Sequence, residues 1–273
     1  MGAGTGTDTL ALNRVHVALV VMVLVGAAAL RLVAIDNPSF HPHSTRQYRS
    51  AIIARAKYYA LAPPRDEAER EAGVRAGELK GALEPPLTET LAAAGYAIAG
   101  RETPVVPRLL CSVLWLAGGL FVYSLARRLL GSEAALVALS YQVLSPHSVI
   151  IGRSFQPEAL LVASLAGALL LMVRHHRSLA VRDLWLAGAA TALSIVAKPV
   201  SVFFLVPAFC SLGWLRHGAR GLLSNRATWL FLGASVGVPV ASYAVGALTV
   251  DTLREQASMS LGPSLLLTPR YWR

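Results

Sequence analysis

Charge is scarce in this chain. Only 15% of its 273 residues are Asp, Glu, Lys or Arg, against 55% hydrophobic residues and a mean hydropathy of +0.53. That poverty argues against an ordinary soluble domain of this size. A soluble enzyme with several buried helices would interrupt its apolar runs often, whereas several runs here last 17 to 23 residues with charges only at their ends. Cysteine is almost missing as well. The two present, Cys111 and Cys210, both fall inside apolar runs and read as small core residues rather than a disulfide or metal pair. Acids are the rarer sign, 15 against 25 Lys and Arg, for a formal net charge of +10. The basic residues are scattered through short connections and form no basic face interleaved with exposed aromatics, so no nucleic-acid partner is expected. No internal repeat and no low-complexity tract is found.

What is present is a series of apolar segments. Seven spans are expected, at about 15–35, 106–126, 133–151, 157–174, 183–200, 199–215 and 227–249, giving an all-α polytopic transmembrane bundle. The fifth and sixth adjoin at "AKPVS", where Pro199 sets a tight turn. The first run is too long for a cleaved signal peptide and is followed by further spans, so it reads as an uncleaved anchor.

Lys and Arg in the short connections set the orientation. With the N-terminus and Arg14 cytoplasmic, that side also receives Arg127, Arg128, Arg174, Arg177, Arg182, Arg216, Arg220 and Arg226. The opposite short loops carry Arg153 and Lys198. Residues 36–105 and the tail 250–273 then lie outside the cytoplasm, and the protein is expected in a bacterial plasma membrane. Residues 1–249 read as one module, with the tail as the start of a further C-terminal part.

The segment from Ile35 to Pro104 is the one long connection, and its nine Lys/Arg balance nine Asp/Glu. In "TRQYRSAIIARAKYYALA", Ile52, Ile53, Ala56, Tyr59 and Ala60 recur near helical spacing, which suits an interfacial helix. "PRDEAEREAGVRAGELKGAL" is charged throughout and reads as a solvated helix or loop. "EPPLTETLAAAGYAIAG" reads as a Pro-started helix ending at Gly100. Small residues in "GAAAL", "LAGAAT" and "GASVG" permit close helix packing.

One span, a long outer loop starting near an acid and rich in Arg and Tyr, "EPPL", "VPRLLCSVLWLAGGLFVYSLARRLLG", "LSPHSVIIGRSFQPEALL" and "AKP" follow in that order. From about residue 15 to 215 this order resembles the polytopic glycosyltransferases of the GT-C fold, nearest to the branch of the protein O-mannosyltransferases and aminoarabinose transferases. The resemblance implies transfer of a sugar from a polyprenyl-phosphate donor to a protein, lipid or glycan acceptor on the non-cytoplasmic side, with inversion by single displacement. It implies no cofactor.

Such chemistry needs a carboxylate to take the acceptor's proton and cations to hold the departing lipid phosphate. Family members place a catalytic acid in the first outer loop, which points to Asp36. The family often has Asp-Glu shortly before a Tyr, whereas Ser44, Thr45, Arg46 and Gln47 precede Tyr48 here. Glu84, at the acidic position before "PPL", is therefore the second candidate base. For both, a loop or helix-end charge is the plainer alternative. Arg153 and Glu158, in "GRSFQPE", match the family's Arg, Pro and acid. An arginine there can grip phosphate oxygens bidentately; snorkelling or pairing with Glu158 is the alternative. Arg108 and Lys198 at span ends have the same dual reading, with Lys198 the second choice for the phosphate. Arg46 and Tyr48 are candidate donor or headgroup contacts. His41 and His43 alternate in "HPHS", but two histidines without a third ligand give no metal site. A lipid-sugar-binding or scaffold protein without catalysis is the main competing function. Nearly charge-free span centres argue against an ion-coupled transporter.

Overall fold

The structure, a computed structural model, describes residues 6–37 and 43–249. His41 and the tail 250–273 lie outside the described residues. The chain folds as twelve helices among the described residues: α1 Gly6–Leu32, α2 Ser44–Leu61, α3 Glu67–Lys80, α4 Leu87–Ala99, α5 Val105–Leu130, α6 Ser132–Leu144, α7 Pro146–Gly152, α8 Glu158–Ser178, α9 Val181–Ala197, α10 Val202–Ser224, α11 Arg226–Leu232 and α12 Val238–Thr249. No strand occurs among those residues. The long apolar runs become the bundle, and the long connection becomes a three-helix layer, α2 to α4, over one end of it.

Among the described residues, five stretches are long and apolar enough to cross a membrane: Arg14–Leu32, Val105–Leu130, Glu158–Ser178, Pro199–Ser224 and Arg226–Gly246. The pair α6 and α7, bent by 57°, makes a sixth if taken as one broken span. By length and composition alone, this does not confirm the seven spans expected. The expected span at 183–200 folds as α9, whose 17 residues reach only about 25 Å at the α-helical rise, short of a hydrocarbon core of about 30 Å. Large side chains such as Met22, Phe203 and Leu215 stand exposed on the bundle, where lipid rather than water would meet them. This is an integral membrane protein.

The bend between α6 and α7 has a local cause. Pro146 cannot donate a backbone hydrogen bond, so the ladder breaks there and Ser145 caps the new helix, its Oγ accepting from the Ser148 N–H at 3.4 Å. A break inside a bundle leaves carbonyls without helical partners. Arg31, fully buried at the end of α1, donates to the Val143 carbonyl at 2.8 Å, to Ser148 at 3.0 Å and to Ala27 at 2.9 Å. One guanidinium from a neighbouring helix thereby satisfies the bend.

Helices α1 and α5 run in opposite directions, which fixes what shares an end. The C-terminus of α1 meets the N-terminus of α5 through Arg108, while His16 near its other end bonds Tyr123 at 2.8 Å. The turn at "AKPVS" forms as expected, with Lys198 extended and Pro199–Ser201 in a 3₁₀ turn before α10. Close packing uses different glycines from some of those expected. Gly188 of "LAGAAT" faces Ala234, and a Cβ at Gly118 would lie 3.2 Å from the Ala163 backbone, letting α5 approach α8. Gly26 of "GAAAL" and Gly233 and Gly237 of "GASVG" face nothing within 4 Å; the last two belong to a π-helical turn, Gly233–Gly237, that joins α11 to α12.

The outer layer folds close to its sequence pattern. Asp66 caps α3 by accepting from the Ala68 N–H at 3.0 Å, and α4 ends at Gly100 in the left-handed region, φ 68°. On α2 the face that turns inward is Gln47, Ser50, Ile53, Ala54 and Tyr59, while Ala60 is exposed, against expectation. Ala54, Ala92, Tyr96, Cys111, Trp115, Phe155 and Ala159 form one core cluster, which seats α2 and α4 directly on α5 and α8. Cys111 is there as a buried core residue.

Candidate active site

The candidate residues Asp36, Arg108, Arg153, Glu158 and Lys198 all come to one end of the bundle, under the outer layer. Two arginines of that end are tied to main-chain oxygens around the end of α1. Arg108 donates to the Ile35 carbonyl at 2.5 Å and to Asn37 at 2.6 Å, and Arg153 donates to Val33 at 2.5 Å. Arg31 lies close enough to Arg153 for the two charges to act on each other, and so does Arg108. Between the two bonded carbonyls, Val33 and Ile35, sits Ala34 with φ 50°. A non-glycine residue held in this left-handed conformation costs about 1–2 kcal/mol, and here it turns successive carbonyls toward successive guanidiniums.

Asp36 extends from this turn, exposed, and lines a cavity of about 510 Å³ together with Tyr48, Tyr96, Arg108 and Phe155. The ion pair Arg55–Glu102, with bonds of 2.6 and 2.9 Å, forms another wall. Residues 36 and 108 face one space although 71 residues separate them, so an acid and a cation meet at the membrane end of the outer layer. The volume is in the range that holds small ligands.

The other candidates form pairs beside this cavity. Glu84 accepts from Arg46 at 2.5 Å in a narrow cleft with Arg49, Glu89 and Pro157. Lys198 donates to Glu158 at 2.6 Å. Thus Glu158 takes the lysine and not Arg153, whose guanidinium goes to the α1 turn. His43 sits at the start of α2 with φ 72°. Among the described residues no group of three or more His, Cys, Asp or Glu could hold a metal ion.

Two residues of this region escaped the sequence pattern. Arg31 stood inside the first apolar run, and its signal was a lone charge in a span. Glu89, in the first turn of α4, is only 8% exposed and accepts from the Ser50 hydroxyl at 2.7 Å. Burial pushes its carboxyl above the ordinary value of 4.5, against the lowering effect of the Ser50 bond. A raised folded-state value means that the native state binds this proton more tightly than the unfolded chain. The stability it contributes is then full below the ordinary carboxylate value and is lost as pH rises through the raised value. In thermal melts of purified protein, Glu89→Gln is therefore expected to gain stability relative to wild type as pH rises through that window. A constant difference at all pH values would show that Glu89 does not titrate there.

At the bundle's other end, Arg177 donates to the Arg128 carbonyl at 2.8 Å, Arg216 donates to the His176 carbonyl, and Arg174 pairs with Asp183 at 3.1 Å. The loop arginines assigned to one side by counting do gather at one end.

Among the described residues, an all-helical bundle carries a long connection folded over one polar end, the arrangement expected above for a GT-C-like membrane glycosyltransferase. The chain belongs to the dolichyl-phosphate-mannose-protein mannosyltransferase family, whose model matches residues 83–246. It is accordingly a glycosyltransferase of the mannosyltransferase type. The match includes Glu84, Arg108, Arg153, Glu158 and Lys198, and begins after Asp36, Arg46 and Tyr48. No curated protein and no solved structure matches the chain.

Proposed function

We propose that this protein transfers a hexose, mannose by its family, from a polyprenyl-phosphate donor to a hydroxyl of a protein acceptor on the non-cytoplasmic side of the membrane. The observation that carries this reading is the cavity shared by Asp36 and Arg108 at the end of the bundle opposite the arginine-rich loops. The carboxylate of Asp36 takes the acceptor hydroxyl's proton as that oxygen bonds to the anomeric carbon. The bond from that carbon to the phosphate oxygen breaks on the opposite face, which inverts the centre. Its electron pair goes to the phosphate, which Arg108 and Arg153 hold.

Position favours Asp36 and Arg108 over the other candidates, since both line the cavity. Glu84 and Lys198 lie outside its lining, Glu84 bonded to Arg46 and Lys198 to Glu158. Tyr48, 49% exposed beside the cavity, suits contact with the sugar or headgroup. The test is direct: purified protein in lipid, given polyprenyl-phosphate mannose and a Ser/Thr-rich peptide, should release polyprenyl phosphate and mannosylated peptide one for one. Donor binding without either product would leave a lipid-sugar-binding protein instead.

A further inference from the structure

A second cavity, of about 310 Å³, lies at the arginine-rich end, between the last turns of α8, the start of α9 and the facing turns of α10 and α11. Its floor is apolar, since Met172, Leu184 and Phe209 are all buried. Its rim is basic, with His175, His176, His217 and Arg216. Arg216 is held by the His176 carbonyl, and the His175 ring bonds the Ala180 carbonyl at 3.0 Å, so these groups are anchored on main chain rather than on acids. Residues 172–184 and 209–230 carry six arginines and one acid, Asp183, which is already paired with Arg174 at 3.1 Å. At Gly218, next to His217 of the rim, the backbone of α10 leaves the helical conformation with φ 70°.

A basic rim over an apolar floor fits a ligand that is anionic at one end and hydrocarbon at the other. We propose that this cavity binds an anionic phospholipid of the leaflet on which this end of the bundle opens. Its phosphate lies at Arg216 and His217, and an acyl chain runs along Met172, Leu184 and Phe209. Free phosphate would leave the floor unused, and a choline headgroup would bring a fixed cation beside Arg216. The site lies at the opposite end from Asp36 and takes no part in the proposed sugar transfer.

Native mass spectrometry of the detergent-purified protein, with phosphatidylglycerol and phosphatidylcholine in competition, tests this. One phosphatidylglycerol is expected to be retained at least about tenfold over phosphatidylcholine, and that preference should vanish in Arg216→Gln with His217→Gln. Leu212→Trp, which fills the chamber without touching its charge, should displace the lipid even if the double variant folds poorly. Equal retention of the two lipids, unchanged preference in both variants, or equal protection against thermal unfolding by inorganic phosphate would overturn the lipid assignment. None of these results bears on the sugar-transfer reading, which the product assay decides separately.

Discussion

Asp36→Asn is expected to lower sugar transfer about 10²- to 10⁴-fold, the usual contribution of a positioned general base. The change is isosteric and falls on an exposed side chain, so the fold should persist. Donor binding should persist as well, because the cations that would hold the phosphate are untouched; the loss belongs in kcat rather than KM. Glu84→Gln is the comparison. Glu84 is held by Arg46 in a separate cleft, and an ion pair of this exposure contributes about 0–1 kcal/mol, so activity should change only a few-fold. Steady-state kinetics with polyprenyl-phosphate mannose and a peptide acceptor would separate the two. A large loss in Glu84→Gln beside near-normal turnover in Asp36→Asn would transfer the base role to Glu84.

The second large effect concerns stability. Arg31→Met keeps the volume of the side chain and removes its donors. Two opposing terms follow. Removing a buried charge relieves a desolvation cost, and replacing complete buried ion pairs by apolar groups is often neutral for that reason. Here, however, the acceptors remain: the Val143 and Ser148 carbonyls at the α6–α7 bend, both on buried residues, lose the donor that Arg31 supplies. Each orphaned buried acceptor costs about 1–3 kcal/mol, so a net loss of at least about 2 kcal/mol is expected. A melting curve in detergent measures it. Arg31→Lys should recover only part, since one ammonium lacks the planar fork that reaches both carbonyls. Unchanged melting in Arg31→Met would show that the bend is held by Pro146 and Ser145 alone.

Much of this architecture was legible in the residues because hydrophobic runs and prolines act locally. Runs of apolar residues gave the bundle, "AKPVS" its turn, and Gly100 the end of α4. The positions of loop arginines correctly grouped Arg128, Arg177 and Arg216 at one end. Helix ends were less legible: the apolar stretch around 183–200 includes Lys198 and Pro199, and α9 ends at Ala197 before them. The site was less legible, since it depends on pairings across long separations. Nothing local told Lys198 to choose Glu158, or Arg153 to choose the Val33 carbonyl over Glu158. Asp36 and Arg108 share a cavity only because α1 and α5 are antiparallel neighbours. Arg31 and Glu89 escaped because their roles rest on carbonyls and a hydroxyl supplied by other helices.

The left-handed residue Ala34 ties two halves of the proposed reaction together. Its conformation survives because guanidiniums clasp the oxygens on either side, and the same guanidiniums are those assigned to the phosphate. Any ligand that draws Arg108 or Arg153 away loosens the hinge from which Asp36 hangs. The acid's position is therefore conditional on the cations, and losses in Asp36→Asn and Arg108→Gln should fall well short of additive when the two are combined.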